Sequence, residues 1–259
     1  MNAMGNMKDL ARRTLLVAMA ISGAWVHCGT AVMAQEPVPG QVIRYSMSIG
    51  PIKAGEATLT TRSTTWKGQK AYQLELTART NKAAAKIYFM DDTLRSTVLP
   101  GVKTVSFWKH SREEERESIE TATIDGNSVK LYKNRIHRGI VKTADLTSTK
   151  PVYDLVSMLM VSRTIDASKM KKGDRIQYQI IDGVELIPAF LEYSGREKIK
   201  TGGKSFECNA FTVIQPVNEN GRHTEKELMK MFITADVTRL PAGIDINLGF
   251  GSAKVRLVP

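Results

Sequence analysis

Residues 151–166 read PVYDLVSMLMVSRTID, and their pattern predicts the one complete α-helix of the chain. Between Leu155 and Val161 only Ser157 is polar, so the predicted helix is apolar on nearly every side. A helix of this kind is normally buried rather than half-solvated, and it is shorter than the about 20 apolar residues that span a bilayer. We therefore expect one buried helix, with Pro151 at its first position, in a protein that is otherwise made of strands.

Strand-like alternation, punctuated by turn residues, fills most of the remaining sequence. Ile176, Tyr178 and Ile180 alternate with polar residues and lead into Asp182-Gly183, a two-residue hairpin turn. Similar hairpins follow one another without a linker or a repeat of 20–50 residues. This succession predicts a mainly β fold, a large curved antiparallel sheet or open β-barrel, with one principal α-helix packed on or in it. Residues 35–259 are expected to form a single β-rich domain.

The amino terminus has the three parts of a secretory signal peptide. A basic region at residues 8–13 precedes an apolar run at residues 15–26, and Val32-Met33-Ala34 offers a cleavage site before Gln35. We expect residues 1–34 to be removed on export, which places the mature chain in the periplasm or cell envelope. Cys28 leaves with the signal, so Cys208 remains without an internal disulfide partner.

The chain is basic, with a net charge of +11 over 259 residues, of which +9 remains after residue 34. An exported basic protein meets lipid head groups, phosphorylated glycolipids and acidic glycans, whereas export argues against nucleic acid as a partner. Residues 130–150 are the most basic stretch. Two interpretations stay open for it: a solvated loop before the helix, or a contact for anionic surfaces through Lys130, Lys133, Arg135, Arg138 and Lys142.

No motif for catalysis, a cofactor or a metal is recognisable. His110, His137 and His223 lie in polar stretches, where solvated histidines are expected, and none has the spacing of a zinc ligand. Asp91-Asp92 is the best pair of carboxylates for acid–base chemistry, but adjacent strand residues point to opposite faces. We expect these two residues, and Asp236 before Leu240-Pro241, to stabilise turns. The sequence therefore indicates a non-enzymatic protein without cofactors.

Several short segments, in their order along the chain, resemble the exported bacterial family of unknown function called DUF3108. They are IKAGEA at residues 52–57, YFMDDTLRS at 88–96, the predicted helix, KGD at 172–174, GRE at 195–197, residues 203–211, and residues 236–257. The resemblance implies an envelope protein with a β-rich fold and no assigned activity, so it assigns no catalytic residues. The expected architecture is also similar to lipoprotein-carrier half-barrels, which is an analogy of shape alone.

Three hypotheses of function follow. The first is a protein that binds an apolar or amphipathic ligand, or a lipidated partner, in a half-barrel cavity. The residues that would line this cavity are Leu155, Met158, Leu159, Tyr178, Met229, Met231 and Phe250; the alternative for them is an ordinary packed core. The second hypothesis is an interaction or assembly module that uses sheet edges or the basic stretch. The third is a hydrolase of envelope polymers, which would need Asp91, Asp92 or Asp236 to lie together with a histidine in a cleft.

Overall fold

The computed structural model describes residues 36–219, 222–247 and 252–259. The predicted signal peptide and Phe250 lie outside these residues. Within them the chain forms fifteen strands: β1 (Val42–Ile49), β2 (Ile52–Trp66), β3 (Gln69–Thr80), β4 (Met90–Leu99), β5 (Lys103–Glu113), β6 (Arg116–Asp125), β7 (Ser128–Arg135), β8 (Ile140–Thr147), β9 (Val152–Tyr153), β10 (Arg175–Asp182), β11 (Glu185–Thr201), β12 (Lys204–Glu219), β13 (Arg222–Thr234), β14 (Pro241–Asn247) and β15 (Ser252–Leu257).

All fifteen strands belong to one sheet, as the alternating sequence predicted. The order across the sheet is β8-β7-β6-β5-β4-β3-β2-β1-β15-β14-β13-β12-β11-β10-β9. Neighbouring strands run antiparallel except β9 and β10, which run parallel. The first and last strands pair with each other in the middle of the sheet, with Tyr45 opposite Leu257. In the described residues β8 and β9 are the two edges, so the sheet is open, and the prediction of a curved sheet or open barrel is confirmed.

Glycines at the hairpin turns adopt the backbone conformation that these turns need. Gly183 has φ of +61°, in the left-handed region that L residues rarely occupy. Its strands end at Asp182 and Glu185, so the two turn residues are Gly183-Val184 and the turn lies one residue later than predicted. The reason is that Asp182 still pairs with Glu185 and so belongs to the ladder.

The one α-helix, α1 (Leu155–Ser162), is shorter than the predicted helix over residues 151–166. Val152 and Tyr153 form strand β9, because their β-branched and aromatic side chains suit an edge strand against β10. Pro151 is therefore not the first helical residue. The helix begins after Asp154, whose side chain accepts hydrogen bonds from the backbone N–H groups of Val156 and Ser157 in a capping box.

The helix packs inside the sheet, because its side chains contribute to both large apolar clusters. Val156 and Met160 pack in the cluster formed mainly by β1–β7, whereas Met158 and Leu159 pack in the cluster formed by β10–β14. We call the side of the sheet that faces α1 its inner face. A third, smaller cluster contains Cys208, which is fully buried; burial raises the pKa of its thiol to about 11.

Candidate functional site

On the inner face of β4–β7, a largely apolar row of side chains is followed directly by a row that is mostly charged. Strand pairing places Ser96, Phe107, Ala122 and Leu131 in one row, and this row contacts the helix, because the Ser96 hydroxyl donates to Asp154 Oδ1 at 2.5 Å. The next two rows toward the β5–β6 turn carry charged and polar residues. These rows form the wall of a cleft, described below, that the helix does not fill.

The first charged row consists of Leu94, Lys109, Glu120, Lys133 and Lys142, one residue from each of β4–β8. Glu120 is 7% exposed, and its carboxylate pairs with the Lys133 ammonium at 2.5 Å. A carboxylate removed from water in this way needs a partner. Lys133 supplies it, and Lys109 on the other side of Glu120 forms no ion pair with any described residue.

The second row consists of Asp92, Ser111, Ser118 and Arg135. Asp92 Oδ1 accepts hydrogen bonds from the Ser111 hydroxyl at 2.7 Å and from the backbone N–H of Arg112 at 3.2 Å. Burial raises the pKa of the Asp92 carboxyl, and the bond from Ser111 opposes that rise. Asp92 therefore holds its neighbours in place on the inner face, and it is a strand residue rather than the turn residue that the sequence predicted.

The cleft between these rows and the neighbouring turns has a volume of about 290 Å³. We call it the charged cleft, and its lining residues are Lys109, Ser111, Glu113, Glu115, Arg116, Glu117, Ser118, Glu120, Lys133, Arg135, His137 and Arg138.

Positive charge in the charged cleft is less compensated than negative charge. Three of its four carboxylates have partners: Glu120 pairs with Lys133, Glu117 with two histidines, and Glu113 with the hydroxyl of Tyr88. Four of its cations form no ion pair with any residue that the structure describes, namely Lys109, Arg116, Arg135 and Arg138. Guanidinium groups without partners are suited to bind carboxylate or phosphate oxygens in a bidentate manner. The chemistry of the charged cleft therefore favours an anionic group.

Two histidines meet one carboxylate, Glu117, which is among the residues that border the charged cleft. Nε2 of His110 lies 2.7 Å from Glu117 Oε1, and Nε2 of His137 lies 3.4 Å from Glu117 Oε2. The hydrogen bond with His110 is the main reason why the pKa of Glu117 is lowered. The expectation of purely solvated histidines is wrong for His110, because pairing of β5 with β6 brings residues 110 and 117 together. Among the described residues, no group of three or more His, Cys, Asp or Glu side chains converges to hold a metal ion.

The basic stretch is a β-hairpin at the edge of the sheet and not a loop. Lys133, Arg135 and Arg138 line the charged cleft, and Lys142 lies on the same inner face, opposite Lys133. Lys130 projects from the outer face, opposite Asp145. The structure therefore divides the five predicted anion contacts between the two faces of the sheet. This division depends on the strand register, which amino-acid composition does not reveal.

Asp91 is also a strand residue, so its prediction as a turn residue is wrong. On the outer face it belongs to a ladder of alternating charge that crosses five strands: Glu56, Arg79, Asp91, Arg112 and Glu117. Its carboxylate lies 2.7 Å from Arg79 and 4.0 Å from Arg112. Asp236, in contrast, lies in a turn as expected and accepts a hydrogen bond from the backbone N–H of Thr238 at 2.9 Å. Asp92 and Asp236 therefore lie in separate parts of the structure, Asp92 on the inner face of β4 and Asp236 in the turn after β13.

Six of the predicted apolar lining residues do come together. Met158, Leu159, Tyr178 and Met231 are buried in one cluster, with Leu155 and Met229 half-buried against it. The Tyr178 hydroxyl donates to Met158 Sδ at 2.9 Å, and the Tyr178 ring packs edge-on against Tyr153. These contacts pack the side chains against one another. Their role in binding a ligand stays a prediction.

A second cavity of about 340 Å³ lies at the opposite end of the same strands. The turns after β4 and β6 border it, together with the segment Ser148–Tyr153 that leads into α1. The hydroxyl of Thr104 is buried beside it without a hydrogen-bond partner among the described residues. This cavity carries one lysine from β5 and one from the segment before β9, so its charge is much lower than that of the charged cleft.

Sequence reasoning missed Lys109, Ser111, Arg116, Ser118 and Glu120 as site residues. Dense charge of the kind found at residues 112–117 is typical of a solvent-facing strand. The sequence did contain a signal for these residues, because Lys109, Ser111 and Glu113 continue the alternation that begins at the buried Phe107. Recognising the site also requires the register between four neighbouring strands, which the sequence alone does not provide.

Comparison with known proteins identifies a family and a related fold. The sequence model of the family described as "Protein of unknown function (DUF3108)" matches residues 44–258. The chain belongs to the DUF3108 family. The match covers the whole sheet except the first two residues of β1, so α1 and the residues that line the charged cleft lie within the matched range. No curated protein matches the chain significantly.

A solved structure similar to this DUF3108 protein is the crystal structure of a beta-barrel-like protein of domain of unknown function DUF1849 from Brucella abortus. The two share 9% identity at a TM-score of 0.52, over 84% of this chain and 94% of that chain. A likeness at this identity concerns the fold alone. In the part of the DUF3108 chain that the structure describes, no helix has the length and apolar character to cross a membrane.

Proposed function

We propose that this chain is a non-enzymatic, exported binding protein of the bacterial cell envelope, which binds the anionic head group of an amphipathic ligand, a lipid or a lipidated partner, in the charged cleft. The observation that carries the proposal is the set of cations without acidic partners on the inner face, with Lys109 and Arg135 at its centre. The signal-peptide pattern of residues 1–34 supports export.

The packing of the interior favours a ligand whose head group alone enters the protein. The helix contributes to both large apolar clusters, and six of its eight residues are buried. The apolar part of the sheet interior is thus occupied by the chain's own side chains. Recognition through the head group then depends on charge-assisted hydrogen bonds from arginine and lysine, which are roughly twice as strong as neutral ones.

The test compares two soluble short-chain lipids with the mature chain, residues 35–259. We expect dihexanoyl phosphatidylglycerol to bind more tightly than dihexanoyl phosphatidylcholine in isothermal titration calorimetry. Lys109→Gln and Arg135→Gln should each weaken phosphatidylglycerol binding about tenfold, the loss of one charge-assisted bond. Lys130→Gln, on the outer face of the same hairpin, is the matched control and should bind as the native chain does. Equal affinity for the two lipids, or unchanged binding by both cleft variants, would contradict the proposal.

The open edge of the sheet favours a second candidate, an envelope interaction or assembly module. In the described residues β8 pairs with β7 alone, so its other side carries free backbone donors and acceptors, which can accept an added strand. Thr143→Pro would remove one backbone donor at this edge. Loss of a co-purifying envelope protein in Thr143→Pro, with unchanged lipid binding, would favour this second candidate over the first.

A further inference from the structure

We infer that the end of the sheet around the charged cleft docks on an anionic lipid surface. Strand order places five described connections at this end: Gly50–Pro51 after β1, residues 81–89 after β3, Glu114–Glu115 after β5, residues 136–139 after β7, and Gly183–Val184 after β10. We call it the loop end. A backbone hydrogen bond of 3.0 Å from Glu114 N to Phe89 O ties two of the connections together.

Exposed apolar side chains are concentrated at the loop end. Half of the exposed large apolar residues of the described chain lie there: Ile52, Ile87, Ile136, Ile140 and Val141. Ile87 is 80% exposed and Val141 is 55% exposed. Three of the five fall within six residues at the tip of the β7–β8 hairpin. A concentration of exposed branched apolar residues at one end of a sheet is typical of an interaction surface.

Cations without partners surround these apolar residues. Lys82, Lys86, Arg135, Arg138 and Lys142 all lie at the loop end, and none forms an ion pair with a described residue. Two acidic residues beside the β5–β6 turn have partners within the protein, since Glu114 accepts from the backbone N–H of Phe89 at 2.6 Å and Glu113 accepts from Tyr88, whereas Glu115 has no hydrogen-bond or ion-pair partner among the described residues. The loop end therefore combines cations that form no ion pair with exposed isoleucine, the combination by which interfacial segments bind anionic lipid.

One feature of β8 makes an added protein strand, which the second candidate function requires, less favourable at this end than a lipid surface. Lys142 lies on the inner face directly opposite Lys133, and an inward-pointing charge on an edge strand hinders the addition of another strand. At the same end, His137, Arg138 and Glu115 contribute to the lining of the charged cleft. Docking on a bilayer would bring the charged cleft to the level of the lipid head groups. The inference rests on the proposed function only for the nature of the head group, because the residues substituted to test docking, Lys86 and the apolar residues of the β7–β8 tip, do not line the charged cleft.

The test measures binding of the mature chain, residues 35–259, to two kinds of vesicle: phosphatidylcholine alone, and phosphatidylcholine mixed with phosphatidylglycerol. We expect flotation with the mixed vesicles only. The triple variant Ile136→Ser/Ile140→Ser/Val141→Ser should bind them at least tenfold more weakly. The matched control Val42→Ser/Val258→Ser changes exposed apolar residues at the opposite end of β1 and β15 and should bind as the native chain does. Lys86→Gln should weaken binding about fivefold, the contribution of one cation near a charged bilayer.

A second measurement keeps the inference testable if the triple variant does not fold. The fluorescence of Ile136→Trp should shift to shorter wavelength with mixed vesicles, in excess of the change shown by the native tryptophans. The absence of that shift, or native-like flotation of a folded triple variant, would overturn the inference. Self-association of the native chain without vesicles, abolished by the same three substitutions, would identify a second copy as the occupant and would also overturn it. The cleft variant Lys109→Gln separates the two proposals: it should lose short-chain lipid binding and still float with mixed vesicles.

Discussion

Arg163 and Arg239 each donate a side-chain hydrogen bond to the backbone carbonyl of the other. Arg163 Nε lies 2.9 Å from the Arg239 oxygen, and Arg239 Nη1 lies 3.3 Å from the Arg163 oxygen. Arg163 is 1% exposed and also donates to Gln41 at 3.0 Å and to the carbonyl of Thr238 at 3.2 Å. This reciprocal pair joins the end of α1 to the turn between β13 and β14. At the other end of the helix, Asp154 bonds to Ser96 of β4.

Substitution of Arg163 should destabilise the protein substantially. Arg163→Ala leaves the carbonyls of Thr238 and Arg239 without donors and opens a cavity at the end of α1. We expect a loss of about 3 kcal/mol in the free energy of unfolding, measured by urea denaturation. Arg239→Ala, which removes one long bond from a half-buried side chain, should cost about 1 kcal/mol. Equal losses of unfolding free energy in the two variants would show that burial does not determine how much Arg163 contributes to stability.

The helix cap should produce a pH dependence of stability with a defined sign. Burial raises the pKa of Asp154 above the ordinary aspartate value of 3.8, and hydrogen bonds from Ser96 and Ser157 only partly oppose that rise. The folded state therefore binds a proton more tightly than the unfolded state, so the contribution of Asp154 to stability falls as pH rises from about 3.8 through the folded pKa. Asp154→Asn keeps a good N-cap and should remove this part of the pH profile.

Asp236 is the matched control for that pH profile. Hydrogen bonds, chiefly from Thr238, lower the pKa of Asp236 below 3.8, so its stabilising contribution is present above that value and is lost as pH falls through the folded pKa. For each variant, Asp154→Asn and Asp236→Asn, the unfolding free energy is measured across the acidic pH range and subtracted from that of the native chain. Plotted against pH, the two differences should have slopes of opposite sign. Slopes of the same sign would contradict the environment assigned to Asp154.

Gly55 should not tolerate a side chain. An added Cβ would lie 2.1 Å from the carbonyl oxygen of Arg79 and 2.7 Å from the terminal methyl of Met47, at a β-bulge between β1 and β2. Gly55→Ala should lower the free energy of unfolding by about 2–3 kcal/mol, because the backbone of β3 has to shift. Gly68→Ala, in an open hairpin turn with φ of +79°, meets no atom within 4 Å and should cost about 1 kcal/mol from backbone strain alone. Comparable losses would mean that β2 can move away from β3 freely.

The Glu120–Lys133 pair should influence both stability and ligand binding. Lys133→Met leaves a buried carboxylate unpaired, and we expect a loss of about 2 kcal/mol in unfolding free energy together with weaker binding of phosphatidylglycerol. Glu120→Gln releases the Lys133 ammonium and should strengthen that binding. For comparison, Lys67→Met disrupts the exposed pair with Asp125 and should cost less than about 1 kcal/mol. A Glu120→Gln variant that binds phosphatidylglycerol more weakly would contradict an anionic ligand in the charged cleft.

Local pattern in the sequence was sufficient to predict most of the secondary structure. The alternation around Tyr178 predicted strands, Gly183 predicted a hairpin turn, and the apolar run after Leu155 predicted one buried helix, because each signal depends on near neighbours in the chain. The start of the helix was wrong, since Val152 and Tyr153 pair with β10, and this partner lies more than twenty residues away. The same limit applies to Asp91 and Asp92, whose strand becomes evident only when its neighbours are paired.

The sequence by itself determined the fold class, the single helix and the resemblance to the DUF3108 family. Only the tertiary structure decided that the helix lies inside the sheet, that β1 pairs with β15, and that Lys109, Glu120 and Lys133 share one row. The physical reason is that the sequence of a strand determines which side chains share a face. It does not determine which of the two faces turns toward the interior or which strand lies beside it. Those choices follow from register across many strands and from burial of apolar side chains around α1, and they bring the charged cleft and the exposed isoleucines to the same end of the sheet.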